Sequence, residues 1–278
     1  MLFMSSPSPC IIVTRPLHEA QQWVTALQQR GMNALALPLI GIGPAPDMPA
    51  LQAVRQHMTD YRAIMLVSGN AAQHFFEPNT ALALSNQALA AIKTRVWSPG
   101  PGTAQTLQRL GIPAAHIDCP AHDAAQFDSE ALWAQVHGQI SAGDRVLIVR
   151  GAEADAPPQG TGRDWLAQQI QAAGGQVEFV VAYTRSTPMF TAEQMAQAQA
   201  ATHNGALWLL SSSQALGHLC AALPGQDWGH ARALATHPRI AQAARAAGFG
   251  AVHECRPALD DVAVAIEGLC AASAARAS

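Results

Sequence analysis

Lysine is nearly missing from these 278 residues: Lys93 is the only one, and the other basic residues are arginines and histidines. A Schiff-base enzyme would have to use Lys93, which sits in "AAIKTRV" on the polar approach to a strand, the ordinary place for a solvated charge. No G-x-x-x-x-G-K-[ST] motif occurs, so a Walker-type phosphate loop is excluded. There is no Lys/Arg run and the formal net charge is −3, which argues against nucleic acid as the main partner. No apolar run reaches the roughly 18 residues needed to span a bilayer, so no membrane segment is expected. The opening "MLFMSSPSPC" has neither a basic n-region nor an apolar h-region, which predicts no signal peptide. Five cysteines without a C-x-x-C pair fit reduced thiols and a cytoplasmic location.

Several catalytic signatures are missing too. None of the 11 histidines forms H-E-x-x-H, and there is no G-x-S-x-G elbow. "GPGTAQ" begins like a dinucleotide loop, but Gln105 replaces the third glycine and Asp118 is too close to serve as the ribose-binding acid. "GIGPAP" follows a strand without opening a helix and reads as a linker. "HIDCPAH" spaces His116, Cys119 and His122 like metal ligands, with Asp118 and Asp123 beside them. A structural zinc site needs four ligands and usually a second cluster, so this segment reads as a polar loop. Neither a metal nor a cofactor is expected.

What the sequence does contain is an internal repeat. "CIIVTRP", a helix "HEAQQWVTALQQRG" and "NALALPLIGI" return downstream as "RVLIVRG", "GRDWLAQQIQAAGG" and "QVEFVVAYTRS". Arg15 thereby matches Arg150, and Gly31 matches Gly174 where a left-handed helix stop is expected. "YRAIMLVSGNAAQHFF" returns as "GALWLLSSSQALGHLC", pairing Ser68 with Ser212 and Asn70 with Gln214. "WSPGPGTAQTLQRLGI" aligns with "LATHPRIAQAARAAGF", pairing Pro101 with Pro238, Thr103 with Ile240 and Gly111 with Gly248. Strands alternating with helices throughout predict parallel sheets with helices on both faces. The length suits two domains, so two similar lobes facing a cleft are expected.

In such sheets ligands bind at the carboxyl ends of the strands, where the chain enters helices. The Ser, Gly, Thr and Asn clusters of the repeat fall at those ends. A helix N-terminus leaves backbone N–H groups unpaired and favours anions, so the "SPGPGT" loop before Thr103 reads as an anion site. Ser68 and Ser212 read as helix N-caps that can also donate to a ligand, rather than as nucleophiles. Tyr183 ends a strand where one repeat unit passes to the next. It is either a packed strand-end aromatic or a donor of a proton or hydrogen bond.

"VTRP", "PLIGI", "VSGNAAQHF", "GPGTAQTL", "VLIVRG", "VVAYTR", "LLSSSQAL" and "THPRIAQAARAAGF", in this order, resemble the uroporphyrinogen-III synthase family from about Ile11 to about Ala265. The segment "AEADAPPQGTG" departs from the pattern by inserting residues after Gly151. The resemblance implies an α/β fold of two similar lobes, each a flavodoxin-like parallel sheet flanked by helices, joined by a two-strand linker with a cleft between them. Residues 1–40 and 186–278 would form one lobe and 45–180 the other, with linkers at about 38–46 and 181–188.

It also implies a cofactor-independent lyase that cyclises hydroxymethylbilane, a linear tetrapyrrole with eight carboxylates, inverting ring D with loss of water. By resemblance, Tyr183 would be the proton donor for the departing hydroxyl and Thr103 a cleft threonine. Ser68, Gly69, Asn70, Gly102, Ser212 and Ser213 would bind carboxylates or shape the floor. Arg15, Arg150, His237, Arg239 and Ile240 complete the substrate-binding set. The preceding or following enzyme of the pathway would be a partner. The cleft and helix-terminus logic also suits a non-catalytic two-lobe receptor for a small anionic ligand, and two parallel-sheet lobes also suit a nucleotide-sugar transferase.

Overall fold

The structure, a computed structural model, describes residues 9–76, 93–121, 124, 126–154 and 164–277. His122, Asp123 and most of the insertion after Gly151 lie outside the described residues. The chain divides into two compact units, Met1–Gly41 with Thr187–Ser278, and Ile42–Ser186.

The first unit is built on a five-stranded sheet. Its strands are β1 (Ile11–Val13), β2 (Ala34–Ala36), β9 (Leu207–Leu210), β10 (Arg232–Ala235) and β11 (Ala251–Glu254), in the order β11-β10-β9-β1-β2. All four pairings are parallel. Helix α1 (Leu17–Gln28) joins β1 to β2, and α7 (Ala192–Ala200) precedes β9. Helices α8 (Ser213–Ala222) and α9 (Pro238–Ala246) connect the later strands, and α10 (Leu259–Ala277) follows β11. On one face Ile11, Val13, Leu207, Leu209 and Leu234 pack with Ala20, Leu27, Val262 and Ile266. Trp208 projects from the alternate position of β9, fully buried, and meets Trp228 edge-on at 5.9 Å; Trp228 stacks on Phe249 at 4.9 Å. Strand residues alternate between faces, so a strand apolar at every position is covered on both sides.

Among its described residues the second unit carries six strands, β3 (Gly41–Gly43), β4 (Ala63–Leu66), β5 (Arg95–Trp97), β6 (Ile117–Asp118), β7 (Arg145–Glu153) and β8 (Gln176–Ser186). Their order is β3-β8-β7-β4-β5-β6. Gly41–Gly43, expected within the two-strand linker, is an edge strand hydrogen-bonded to β8. Ile64, Leu66, Val96, Leu147 and Val149 pack beneath α2 (Met48–Gln56), α3 (Gly69–Phe75) and α4 (Pro101–Arg109) through Leu51, Phe75 and Leu107. Ala63, Met65, Trp97, Val146 and Ile148 face α5 (Ser129–Val136) and α6 (Trp165–Ala172) through Leu132, Val136 and Ile170.

The two sheets are wound alike. In each, the strand order reverses direction between two central strands: β9 and β1 in the first unit, β4 and β7 in the second. These are topological switch points, where loops leave the carboxyl ends in opposite directions and open a crevice. The chain enters the two units at different places: β1-β2 opens the first, whereas its repeat β7-β8 closes the second. Repeat-related helices also stop alike. Gly111 and Gly248 follow α4 and α9 at φ of 91° and 95°, the left-handed region that only glycine enters without cost.

Candidate functional site

The loops at the carboxyl end of β4, β5, β7 and β8 gather most of the singled-out residues of the second unit. Ser68 leaves β4 in extended conformation and caps α3, its Oγ accepting from the Ala71 N–H at 3.1 Å. The same Oγ lies 3.1 Å from the Tyr183 hydroxyl, and either can donate. Because Ser68 Oγ already accepts a backbone N–H, its own proton can be directed at the phenol oxygen. That arrangement aims the phenol's proton at a different acceptor.

Tyr183 is buried, at 4 % exposure, and stacks with the His74 imidazole at a centroid distance of 5.7 Å and 25° between planes. His74 lies in the last turn of α3, whose terminal carbonyls are held from outside. Arg55 donates from Nε to Phe75 O at 2.9 Å and from Nη2 to His74 O. Gly69 and Asn70 open α3, with Asn70 buried.

On the adjacent strand, Gly100 is the extended N-cap of α4, with Pro101 first in the helix, then Gly102 and Thr103. Pro there gives up only an N–H that would be unpaired. The loop is fixed by Ser98, whose hydroxyl donates to Gly100 O at 2.7 Å and is 3.4 Å from Gly100 N. A Cβ on Gly102 would meet nothing within 4 Å, whereas Thr103 is buried at 8 % exposure. Helices α3 and α4 pack side by side, so two helix N-termini and the Ser68–Tyr183 pair share the carboxyl edge of one sheet.

Arg150, expected to meet an anion, is buried within the carboxyl half of β7. Its guanidinium is 3.2 Å from Asp164 and lies over the Phe179 ring at 4.1 Å. Asp164, at the entry to α6, gives no sequence signal as its partner.

In the first unit the equivalent edge holds the other group. Ser212 caps α8, accepting from Ala215 N at 3.3 Å, and Ser213 follows as the first helical residue. His237 caps α9 through Nδ1, which accepts from Arg239 N at 3.1 Å, so the ring holding this cap carries its proton on Nε2. Ile240 is buried and the Arg239 side of the helix is exposed. Arg15 lies two residues beyond β1, with its side chain 15 % exposed. It is paired with Glu19 at 3.3 Å and lies 4.1 Å above the Trp23 ring.

Burial lowers the Arg15 pKa from its ordinary value, and Glu19 works the other way. The Arg15 Nε is buried without a hydrogen-bond partner among the described residues. Nearby, burial first, and then the Asp261 carboxylate, push the Cys255 thiol up to about 12. Asp118, which sequence spacing puts near a metal-like trio, is taken up by Arg95 through two hydrogen bonds of 2.8 and 2.6 Å. Among the described residues no group of three or more His, Cys, Asp or Glu could hold a metal ion.

Fold and site together define a two-unit parallel α/β protein whose polar side chains and helix N-termini collect at the carboxyl ends of both sheets. A family model for uroporphyrinogen-III synthase HemD matches residues 21–262, and the chain belongs to that family. It is 29 % identical over 144 residues to a uroporphyrinogen-III synthase of Chlorobaculum parvum, covering 51 % of this chain and 53 % of that protein. It is 30 % identical over 152 residues to the porphyrin biosynthesis protein HemD of Ruminiclostridium josui, covering 54 % of this chain and 29 % of that one. The chain thus spans about half the length of the first of these curated relatives and under a third of the second.

Its fold is similar to a solved mutant form of the uroporphyrinogen III synthase of Thermus thermophilus, with a TM-score of 0.51 at 15 % identity over 97 % of this chain and 100 % of that one. It is also similar to the uroporphyrinogen-III synthetase of Helicobacter pylori, with a TM-score of 0.53 at 12 % identity over 94 % and 99 %. Among the described residues no helix is long and apolar enough to cross a membrane.

Proposed function

We propose that this chain cyclises hydroxymethylbilane to uroporphyrinogen III, as a cofactor-independent lyase of the cytoplasm. Loss of water from the hydroxymethyl group leaves an electrophilic azafulvene. The substituted carbon of ring D attacks it to form a spiro intermediate, which fragments and recloses with ring D inverted. The observation that carries the reading is the Ser68–Tyr183 contact at 3.1 Å beside two helix N-termini on one sheet edge.

A buried phenol can give its proton to the departing hydroxyl while Ser68 donates to the phenolate oxygen left behind. The N–H groups opening α3 and α4 suit the acetate and propionate carboxylates of the bilane, which a protein of net charge −3 cannot hold by bulk charge. Thr103, Gly102, Gly69 and Asn70 would line this end. Ser212, Ser213, His237, Arg239, Ile240 and Arg15 would serve the substrate's other carboxylates. With Asp164 already beside it, Arg150 would act mainly by holding its loop. The remaining work is conformational, since curling the chain brings the substituted carbon to the azafulvene. The enzyme that makes the bilane, or the one that takes the macrocycle, would be its partner.

An azafulvene in free solution closes at the unhindered carbon of ring D and gives the type I isomer. Freshly generated hydroxymethylbilane is therefore added to the purified protein without metal or nucleotide, and the oxidised products are separated. Mostly type III product, unchanged by a chelator, is expected. An isomer mixture equal to the protein-free control refutes the proposal.

A further inference from the structure

Strands β7 and β8 pair in parallel from Arg145↔Gln176 to Arg150↔Val181, and then the register slips: Gly151 pairs with Tyr183, leaving Ala182 as an extra residue. Bulges are rare in parallel pairs, cluster near functional sites, and re-aim the side chains that follow. The effect here is visible in the core. Val180 and Ala182 face the α3 side of the sheet, as a period of two requires, and Tyr183 joins them there although alternation alone would send it to the opposite face. Only on that side can its hydroxyl meet Ser68.

The partner in the slip is also special. A Cβ built on Gly151 would lie 2.3 Å from Tyr183 Cζ, 2.6 Å from Cε2 and 2.7 Å from Cε1. Gly151 is not among the glycines with positive φ, so space rather than backbone freedom is what glycine provides. The crowded atom, Cζ, is the carbon that bears the hydroxyl. Since ordinary contact begins at 3.4 Å, a methyl here would drive the hydroxyl end of the ring away by about 1 Å.

We propose that Gly151, with the Ala182 bulge, is a positioning residue: it provides the floor on which the Tyr183 ring lies so that its hydroxyl is held at Ser68. The consequence for turnover rests on Tyr183 acting as the proton donor proposed above; the consequence for geometry does not. The whole chain has two tyrosines, at positions 61 and 183, so protein labelled with ¹³C at tyrosine Cζ gives two resonances. Tyr61→Phe assigns them.

In Gly151→Ala the Tyr183 resonance should shift and its titration midpoint should move, as in Ser68→Ala, while Tyr61 stays put. In the bilane assay kcat should fall as far as in Tyr183→Phe, up to about 10²-fold, with KM unchanged. A folded Gly151→Ala protein with an unmoved Tyr183 resonance overturns the proposal, whatever its activity. Should Gly151→Ala not fold, the double variant Gly151→Ala/Tyr183→Leu removes the phenol ring's crowding. Recovery of folding supports the floor role, and failure of both variants overturns it in favour of a backbone requirement. A wild-type protein that turns over no bilane removes the proposed function alone, and the resonance still decides the position of the ring.

Discussion

Ser68 and Ser212 occupy the same place in the two repeats, and each caps a helix from the carboxyl end of a central strand. Removing an N-cap hydroxyl typically costs about 1 kcal/mol. Ser212→Ala should lose no more than that, since its Oγ sits 3.3 Å from the capped N–H. Ser68→Ala loses the cap and also the contact with a phenol that is only 4 % exposed. Depriving a buried polar group of a partner costs about 1–3 kcal/mol, so Ser68→Ala should be the more damaging by at least about 1 kcal/mol.

Urea unfolding followed by circular dichroism and tryptophan fluorescence measures both, with separate transitions fitted if the two units unfold apart. A double-mutant cycle isolates the shared contact: in a Tyr183→Phe background the excess cost of Ser68→Ala should vanish. Equal costs for the two serines, or an excess that survives Tyr183→Phe, would refute the reasoning.

Two predictions concern alkaline pH. Burial, reinforced by a hydrogen bond to Glu178 at 2.7 Å, raises the Tyr61 pKa above its ordinary value. The folded state therefore favours the neutral phenol, and this contribution is intact below about pH 10 and lost as pH rises further. Wild-type protein should thus lose stability above about pH 10 more steeply than Tyr61→Phe, and parallel urea curves in the two would contradict this. Cys255, with its thiol pushed up to about 12, should hardly react with iodoacetamide at about pH 8 in the native protein and react rapidly in urea, as mass mapping of the alkylated peptides would show.

Much of this architecture can be read directly from residue types. The apolar strands, the glycines that stop helices, Pro101 and Pro238 at first helical positions, and the capping serines are local signals that recur in two copies. Recurrence makes each of them more legible than it would be alone. Gly41–Gly43 is legible as part of a linker strand, but its place at the edge of the six-stranded sheet is not, because that depends on pairing with β8 rather than on its side chains. The partners of the candidate residues are hidden for a related reason. Asp164 beside Arg150, His74 against Tyr183 and Trp23 under Arg15 are contacts set by packing, with only the last lying at helical spacing. Gly151 carries a signal that is present but mute: the repeat places Pro16 opposite it, so glycine there is not required by the repeat itself. Its role appears only when the bulge brings a ring onto it.

The two entry points of the chain give the last prediction. Every strand of the second sheet lies between Gly41 and Ser186, so this unit needs no segment from elsewhere in the chain to complete its sheet. The first unit needs both ends of the chain, since β1 lies between β9 and β2. A break between residues 140 and 142, which looks natural from the repeat, would strip β7 from β4. The strand left at the edge, Ala63 to Leu66, is at most 2 % exposed in the intact protein. It would present unpaired backbone groups and bare apolar surface together, which favours aggregation. In the other piece, β9 would lose β1 in the same way.

Residues 42–186 expressed alone should therefore give a cooperative urea transition and near-ultraviolet circular dichroism, and should keep the Tyr183 resonance of the full chain. Residues 1–140 and 142–278, expressed separately, should be insoluble or lack a cooperative transition. Cooperative unfolding of both of those halves would show that sheet continuity is not what holds these units together.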